Sequence, residues 1–231
     1  MLGTIVNTCT ILAGSVIGSV LKKGLKEKYQ NALYGACGLA ACGIGINSVV
    51  SNLGDSTVPV LFIVSLAIGS LIGTKLDLSG RFDRFVNRHS SEENHLSQGL
   101  STGILLYCIG TLSIMGPIMS ALYGDNTFLF TNATLDFITS MVLASTYGIG
   151  MALAAPVLFC WQGAIYLITK LAGDIISDEL ICELCIVGGF LIASSGLSIL
   201  KIKDLKTLNM LPSLAIPIIF FALRALVWKI W

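Results

Sequence analysis

Charge is what this sequence has least of. Asp, Glu, Lys and Arg make up 12% of its 231 residues, about half the ~25% of ordinary soluble domains and too little to coat a soluble globule. The signs nearly balance, 14 basic against 13 acidic for a net +1, so nucleic acid is not expected as a partner. Histidine is scarcer still: His89 and His95 sit in a polar stretch, and no apolar run carries one. The sequence lacks a Walker A loop, HExxH, GxSxG and a glycine-rich dinucleotide fingerprint, and its segment spacing leaves no room for a catalytic domain. Neither an enzyme nor a cofactor is expected. Five prolines without a Pro-rich tract give no sign of a separate soluble domain, and residues 1–231 read as one integral membrane domain.

The seven cysteines form no disulfide framework. Five lie in apolar runs, where Cys behaves as a small hydrophobe. Cys182 and Cys185 have redox or metal spacing, but no second CxxC or nearby His accompanies them, so no metal site is expected.

What is present is apolar surface and glycine. Hydrophobic residues are 55% of the chain and mean hydropathy is +0.85. The 24 glycines suit helices that approach closely in lipid. Eight segments are predicted, at 2–21, 32–50, 58–74, 99–123, 137–155, 157–172, 184–200 and 207–223. Residues 2–21 lack a basic n-region and a convincing cleavage site and read as a retained first span. Gly116-Pro117 should kink or split the fourth segment. The stretch after Asp136 is the centre of the pattern: Phe137 to Thr169 holds no charged residue. That is too long for one span of about 20 residues and tight for two. Pro156 is expected to divide it, leaving a short sixth segment that either spans or is re-entrant. The expected fold is therefore an all-α polytopic bundle of seven to eight segments, one short or broken.

Orientation follows from the positive-inside rule. Loops 22–31, 75–98 and 201–206 hold four, four and three lysines or arginines, whereas 51–57 and 124–134 hold none. Basic loops in the cytoplasm place the N-terminus outside, and eight crossings keep the alternation consistent. The alternation of Arg81, Arg84 and Arg88 with Phe82 and Phe85 reads as a short amphipathic helix on the cytoplasmic face. There is also a weak internal repeat. Gly14-Ser-Val-Ile-Gly18 resembles Gly69-Ser-Leu-Ile-Gly73, and Cys37–Gly45 resembles Gly188–Gly196; inverted repeats of this kind build many transporters.

Candidate functional residues are the polar ones inside apolar segments. Gly14, Gly18, Gly69 and Gly73 have the spacing that lets helix backbones touch, within the bundle or between copies in a homo-oligomer. Asp136 is either an interfacial helix cap or the charged end of a solute path. Asn7 and Asn47 fall in the same outer half, and Ser140, Ser145 and Thr146 continue inward from Asp136. Neutral oxygens descending from one carboxylate suit a small cation or a polar solute better than an anion. Hydrogen bonding between helices is the plainer role for each hydroxyl. Gln162 and Asn209 are amides near predicted inner ends, where helix capping is the simpler role; Asn209 with Pro212 looks like a helix start.

Taken together, Gly3-Thr-Ile-Val-Asn7-Thr8, Lys22-Lys23-Gly24, Leu76-Asp77-Leu-Ser-Gly80-Arg81-Phe-Asp83, Ala144-Ser-Thr146-Tyr-Gly-Ile-Gly150, Gln162-Gly163 and Asn209-Met-Leu-Pro212 resemble the domain-of-unknown-function 554 family, from Gly3 to about Pro217. The resemblance implies a multi-pass protein of the bacterial cytoplasmic (inner) membrane, with transport the activity suggested for it, and supplies no substrate or site residues. Secondary transport or a channel is the functional expectation. A non-transporting assembly or regulatory protein, whose polar residues only pack helices, is the alternative.

Overall fold

The structure, a computed structural model, describes residues 1–21, 26–81, 84, 103–104, 107–108, 110–173 and 177–230. Lys22-Lys23-Gly24, His89, His95, most of the amphipathic 81–88 stretch and much of the first half of segment four lie outside these residues. Among the described residues the chain is all helical. Seven helical stretches are long and apolar enough to cross a membrane, and Thr111–Leu122 is a shorter apolar helix. The elements are α1 (Leu2–Val20), α2 (Glu27–Leu53), α3 (Leu61–Leu76), α4 (Thr111–Leu122), α5 (Thr127–Tyr147), a 3-10 turn (Ile149–Leu153), α6 (Ala154–Ala172), α7 (Asp178–Ile199), α8 (Thr207–Met210), a second 3-10 turn (Leu211–Leu214) and α9 (Ala215–Ile230).

They pack as two compact units. The first comprises Met1–Ala40 and Arg81–Gly173, the second Ala41–Gly80 and Asp174–Trp231, so α2 gives its first half to one unit and its second half to the other.

The first unit is built on α1 against α5. Buried residues on α1 recur at Gly3, Asn7, Ile11, Gly14 and Gly18, a single stripe at helical spacing. A Cβ at Gly3 would lie 2.6 Å from Leu129 Cβ, one at Gly14 2.5 Å from the Phe137 carbonyl, and one at Gly18 3.0 Å from Ala144 Cβ. Those partners advance in step along both helices, so α1 and α5 run parallel with their backbones almost touching. Ile11, Tyr107, Cys108, Ala154, Ala155 and Leu158 form the apolar centre. At one end of the unit, the Met1 amino group reaches Ser120 Oγ at 3.5 Å and the Gly3 N–H donates to Asn126 Oδ1 at 3.1 Å. Partial burial, with Lys170 nearby, pulls the Met1 amine below its ordinary pKa.

Four features differ from expectation here. The fifth helix begins at Thr127, ten positions before the uncharged run, and continues to Tyr147. The break falls at Gly148, whose φ of 87° and ψ of −176° favour glycine. Pro156 sits in the first turn of α6, where a missing N–H costs little. The uncharged run is thus the second half of one helix, a break at Gly148 with a 3-10 turn, and most of another helix, and α6 is 19 residues long rather than short. Pro117 lies inside α4, which is not split there.

The second unit joins α2, α3, α7 and the broken last segment. Gly45 of α2 backs onto Gly189 and Ala193 of α7, with Gly189 O and Ala193 N 2.5 Å from where a Cβ would be. Ser48 Oγ donates to the Cys185 carbonyl at 3.0 Å and the Cys182 thiol to the Asn52 carbonyl at 3.2 Å, so these helices run antiparallel. Buried positions on α3 are Leu61, Ser65, Gly69 and Gly73, and a Cβ at either glycine would collide with the backbone of Ser213 or Asn209. The last segment is not one helix from 207: α8, a 3-10 turn opened by Pro212, and α9 follow each other. Asn209 does not start a helix; its Oδ1 accepts the Ser79 N–H at 2.7 Å. The two glycine pairs of the weak repeat therefore meet different partners, a parallel long helix in one unit and a short broken segment in the other.

Candidate functional site

Asp136 is the tenth of the 21 residues of α5, not its cap. Because α5 starts at Thr127, the carboxyl stands mid-helix and is buried, at 5% exposure. Asn132, one turn earlier on the same face, donates from Nδ2 to Asp136 Oδ2 at 2.9 Å. The Asn7 amide of α1 faces the carboxyl from across the helix pair, and Tyr107 lies close to both Asp136 and Ser140. Asn7 Nδ2 and Tyr107 Oη are buried without completing a hydrogen bond of normal geometry. Among the described residues no Lys, Arg or His forms an ion pair with Asp136. The cluster is a carboxyl held by side-chain amides and a phenol, inside apolar helices.

The other expected residues divide. Asn7, Ser140 and Gln162 are wholly buried. Gln162 is mid-α6 rather than at a helix end, and its Nε2 donates to Ser113 Oγ at 3.0 Å while its Oε1 has no partner. Ser140 and Ser145 bond back to the carbonyls of Phe137 at 2.9 Å and Val142 at 2.7 Å, the local tie that helical hydroxyls commonly make. Ser145 is half-buried, whereas Thr146 is exposed. Asn47 is exposed and belongs to the second unit; its neighbour Ser48 is the buried one. The line of oxygens from Asp136 therefore keeps Asn7 and Ser140, loses Thr146 and Asn47, and gains Asn132 and Tyr107. Asn132 sits in what read as a loop, and only its i,i+4 step to Asp136 could have pointed to it.

Sequence reading also passed over Glu183. It lay just outside the expected seventh segment, but α7 begins at Asp178 and buries Glu183 completely. Its Oε1 accepts from the Ser56 hydroxyl and, at 3.4 Å, from the Val58 N–H. Cys182 and Cys185 are both free thiols.

Long apolar helices whose few buried acids are held by polar side chains define a polytopic helical membrane protein. The chain belongs to the family described as "Protein of unknown function (DUF554)", whose model matches residues 2–222. It is 55% identical over 226 residues to "Uncharacterized membrane protein YdfK" of Bacillus subtilis (strain 168), covering 97% of this chain and 98% of that one. It is 26% identical over 241 residues to "Uncharacterized protein YqgA" of Escherichia coli (strain K12), covering 100% of this chain and 99% of the relative. No solved structure matches it. Two of the motifs that carry the family resemblance meet in space: the Ser79 N–H of one donates to Asn209 Oδ1 of the other.

Proposed function

We propose that this protein carries a small cation or a cation-coupled polar solute across the bacterial cytoplasmic membrane, as a secondary transporter or channel rather than as an enzyme. The observation that carries the reading is Asp136: a carboxyl mid-helix, buried, flanked by the amides of Asn7 and Asn132. A carboxylate at such depth is costly, and any cation that reaches it is correspondingly stabilised. Ser140, Tyr107 and Gln162 extend the polar lining within the first unit, and Ser145 lies one to two turns deeper.

Eight crossings with the N-terminus outside remain the preferred topology. Parallel packing of α1 and α5 fits three intervening crossings, and the nearness of Lys170 to the Met1 amine supports a full crossing by α6. The basic loops set the sign. A second copy of the chain and the bilayer are the partners of this reading.

The alternative, a non-transporting assembly or regulatory protein, has one observation in its favour. Gly14, Gly18, Gly69 and Gly73 are spent on contacts inside the chain, and Ser140 and Ser145 on local carbonyls, as in a packed scaffold. Reconstitution decides between them. Purified protein is first screened for ions and small metabolites that raise its melting midpoint, and each hit is then assayed for flux into vesicles. Transport predicts flux in wild type that disappears in Asp136→Asn while that variant keeps its fold. Ligand-independent melting and no flux for either protein would leave the scaffold.

A further inference from the structure

The second unit buries an acid that the proposed path does not use. Glu183 is the sixth residue of α7 and has no exposed surface. One of its oxygens is tied to the loop before α3 through Ser56 and Val58; the other, Oε2, is buried without a hydrogen-bond partner. Two hydroxyls of the same unit share that condition: Ser65 on α3 and Ser213 in the 3-10 turn, both wholly buried and both unpartnered. This is not the ordinary fate of a serine in a helix. Ser194, Ser195 and Ser198 all bond back to carbonyls three or four residues earlier, which satisfies the hydroxyl locally.

The elements that bear these three oxygens pack against one another pairwise: α3 on the 3-10 turn, α3 on α7 and α7 on the 3-10 turn. Ser213 Oγ lies where a Cβ of Gly69 would stand, and Gly69 is one helical turn from Ser65 on the same face. A glycine there admits the hydroxyl to the helix surface. The turn itself interrupts the last segment between α8 and α9, the kind of backbone break at which membrane carriers coordinate ions. Every unpartnered atom of the set is oxygen, one from a carboxyl and two from hydroxyls, which suits a hard cation and disfavours a soft one or an anion. One carboxyl sets the charge at one.

We propose that the second unit holds a site for a small hard monovalent cation of the sodium class, with Glu183 as its charged ligand and Ser65 and Ser213 as neutral ones. The site rests on different helices from those that hold Asp136.

The test is the melting midpoint of the full-length protein in detergent, titrated with sodium, lithium or potassium chloride against choline chloride at constant ionic strength. Wild type is compared with Glu183→Gln, with the double variant Ser65→Ala/Ser213→Ala, and with Asp136→Asn. The expected result is a saturable rise with sodium in wild type and in Asp136→Asn. In the double variant, half-saturation should move at least tenfold to higher concentration, and in Glu183→Gln the rise should vanish. Because Glu183→Gln could also loosen the Ser56 loop, the double variant decides, since it leaves that tie in place. A wild-type midpoint that follows ionic strength alone, or a double variant that titrates like wild type, overturns the proposal. A sodium response lost in Asp136→Asn but intact in the double variant also overturns it, and would assign the ion to the first unit.

Discussion

Among the described residues the two units bury one acid each on a long helix, and they hold it differently. Asp136 is surrounded by side chains: Asn132 from its own helix, Asn7 from α1, Tyr107 beside them. Glu183 is tied by a loop, through Ser56 and the Val58 N–H. The first arrangement places polar groups between two helices whose backbones touch along their length. The second places them where a loop enters the bundle and leaves one carboxyl oxygen without a partner. Burial alone is therefore not the feature to compare. What holds each acid is the difference: side-chain amides beside Asp136, a loop hydroxyl and a backbone N–H beside Glu183.

The largest effect is expected where both units depend on glycine. In Gly14→Leu the new side chain would strike Ser140 and the Phe137 carbonyl; in Gly73→Leu it would strike the Asn209 backbone. Backbone cannot give way as a rotamer can, so each should exceed the ~1–3 kcal/mol typical of overpacking and reduce the yield of monodisperse protein on size exclusion severely. If one variant behaves like wild type, that unit's helices have room to part, and the likeness between the units fails at its foundation.

Next come the acids themselves. Asp136→Leu removes the acceptor of the Asn132 amide and leaves that donor in an apolar setting, which should cost about 1–3 kcal/mol in thermal or denaturant unfolding. Asp136→Asn keeps an acceptor oxygen for Asn132 and should cost less than half as much. Equal losses for Leu and Asn would mean that the charge, rather than the amide pairing, holds the cluster together.

Those acids also show what the sequence could and could not reveal. The all-helical membrane fold was legible in composition and in the apolar runs, because lipid demands long uncharged helices. Span ends were not, because a charged residue read as a boundary. Trimming the fifth segment at Asp136 made the acid look like a cap, and trimming the seventh at Leu184 left Glu183 in a loop. In both cases polar neighbours offset part of the cost that the sequence pattern assigns to an acid in a span: Asn132 on the same helix and Asn7 on α1 for one, Ser56 and the Val58 N–H for the other. Asn7, Ser140 and Gln162 stand out in the sequence because they interrupt uniformly apolar surroundings, and all three are buried. Thr146 is exposed because it lies two residues, about 200° around the helix, from buried Ala144, and the apolar residues of α5 are spread too evenly around it for the sequence to show which face is buried.

A smaller effect distinguishes the two residues that compete for the break between α5 and α6. Gly148→Ala forces a side chain onto a backbone with φ of 87° and should cost about 1–3 kcal/mol. Pro156→Ala, in the first turn of α6, should stay within about 0.5 kcal/mol. The reverse order in thermal unfolding would restore Pro156 as the break.

The smallest expected change is Arg224→Ala, and it bears on the depth of Glu183. Arg224 Nη1 pairs with Glu179 Oε2 at 2.8 Å, with the two side chains 42% and 40% exposed, and its guanidinium stands 5.5 Å from the centre of the Phe221 ring. A pair so exposed is worth about 0–1 kcal/mol, so the midpoint should fall slightly at low salt. Glu179 is one helical turn, about 6 Å, from Glu183 on the same face of α7. If high salt erases the difference between wild type and variant, the pair is solvated and Glu183 sits one turn inside a wetted interface, within easy reach of an entering cation. If the difference persists at high salt, water does not screen the pair; Glu183 then lies deeper than its loop suggests, and a cation would have to be drawn in past Arg224, which the charge of that residue opposes.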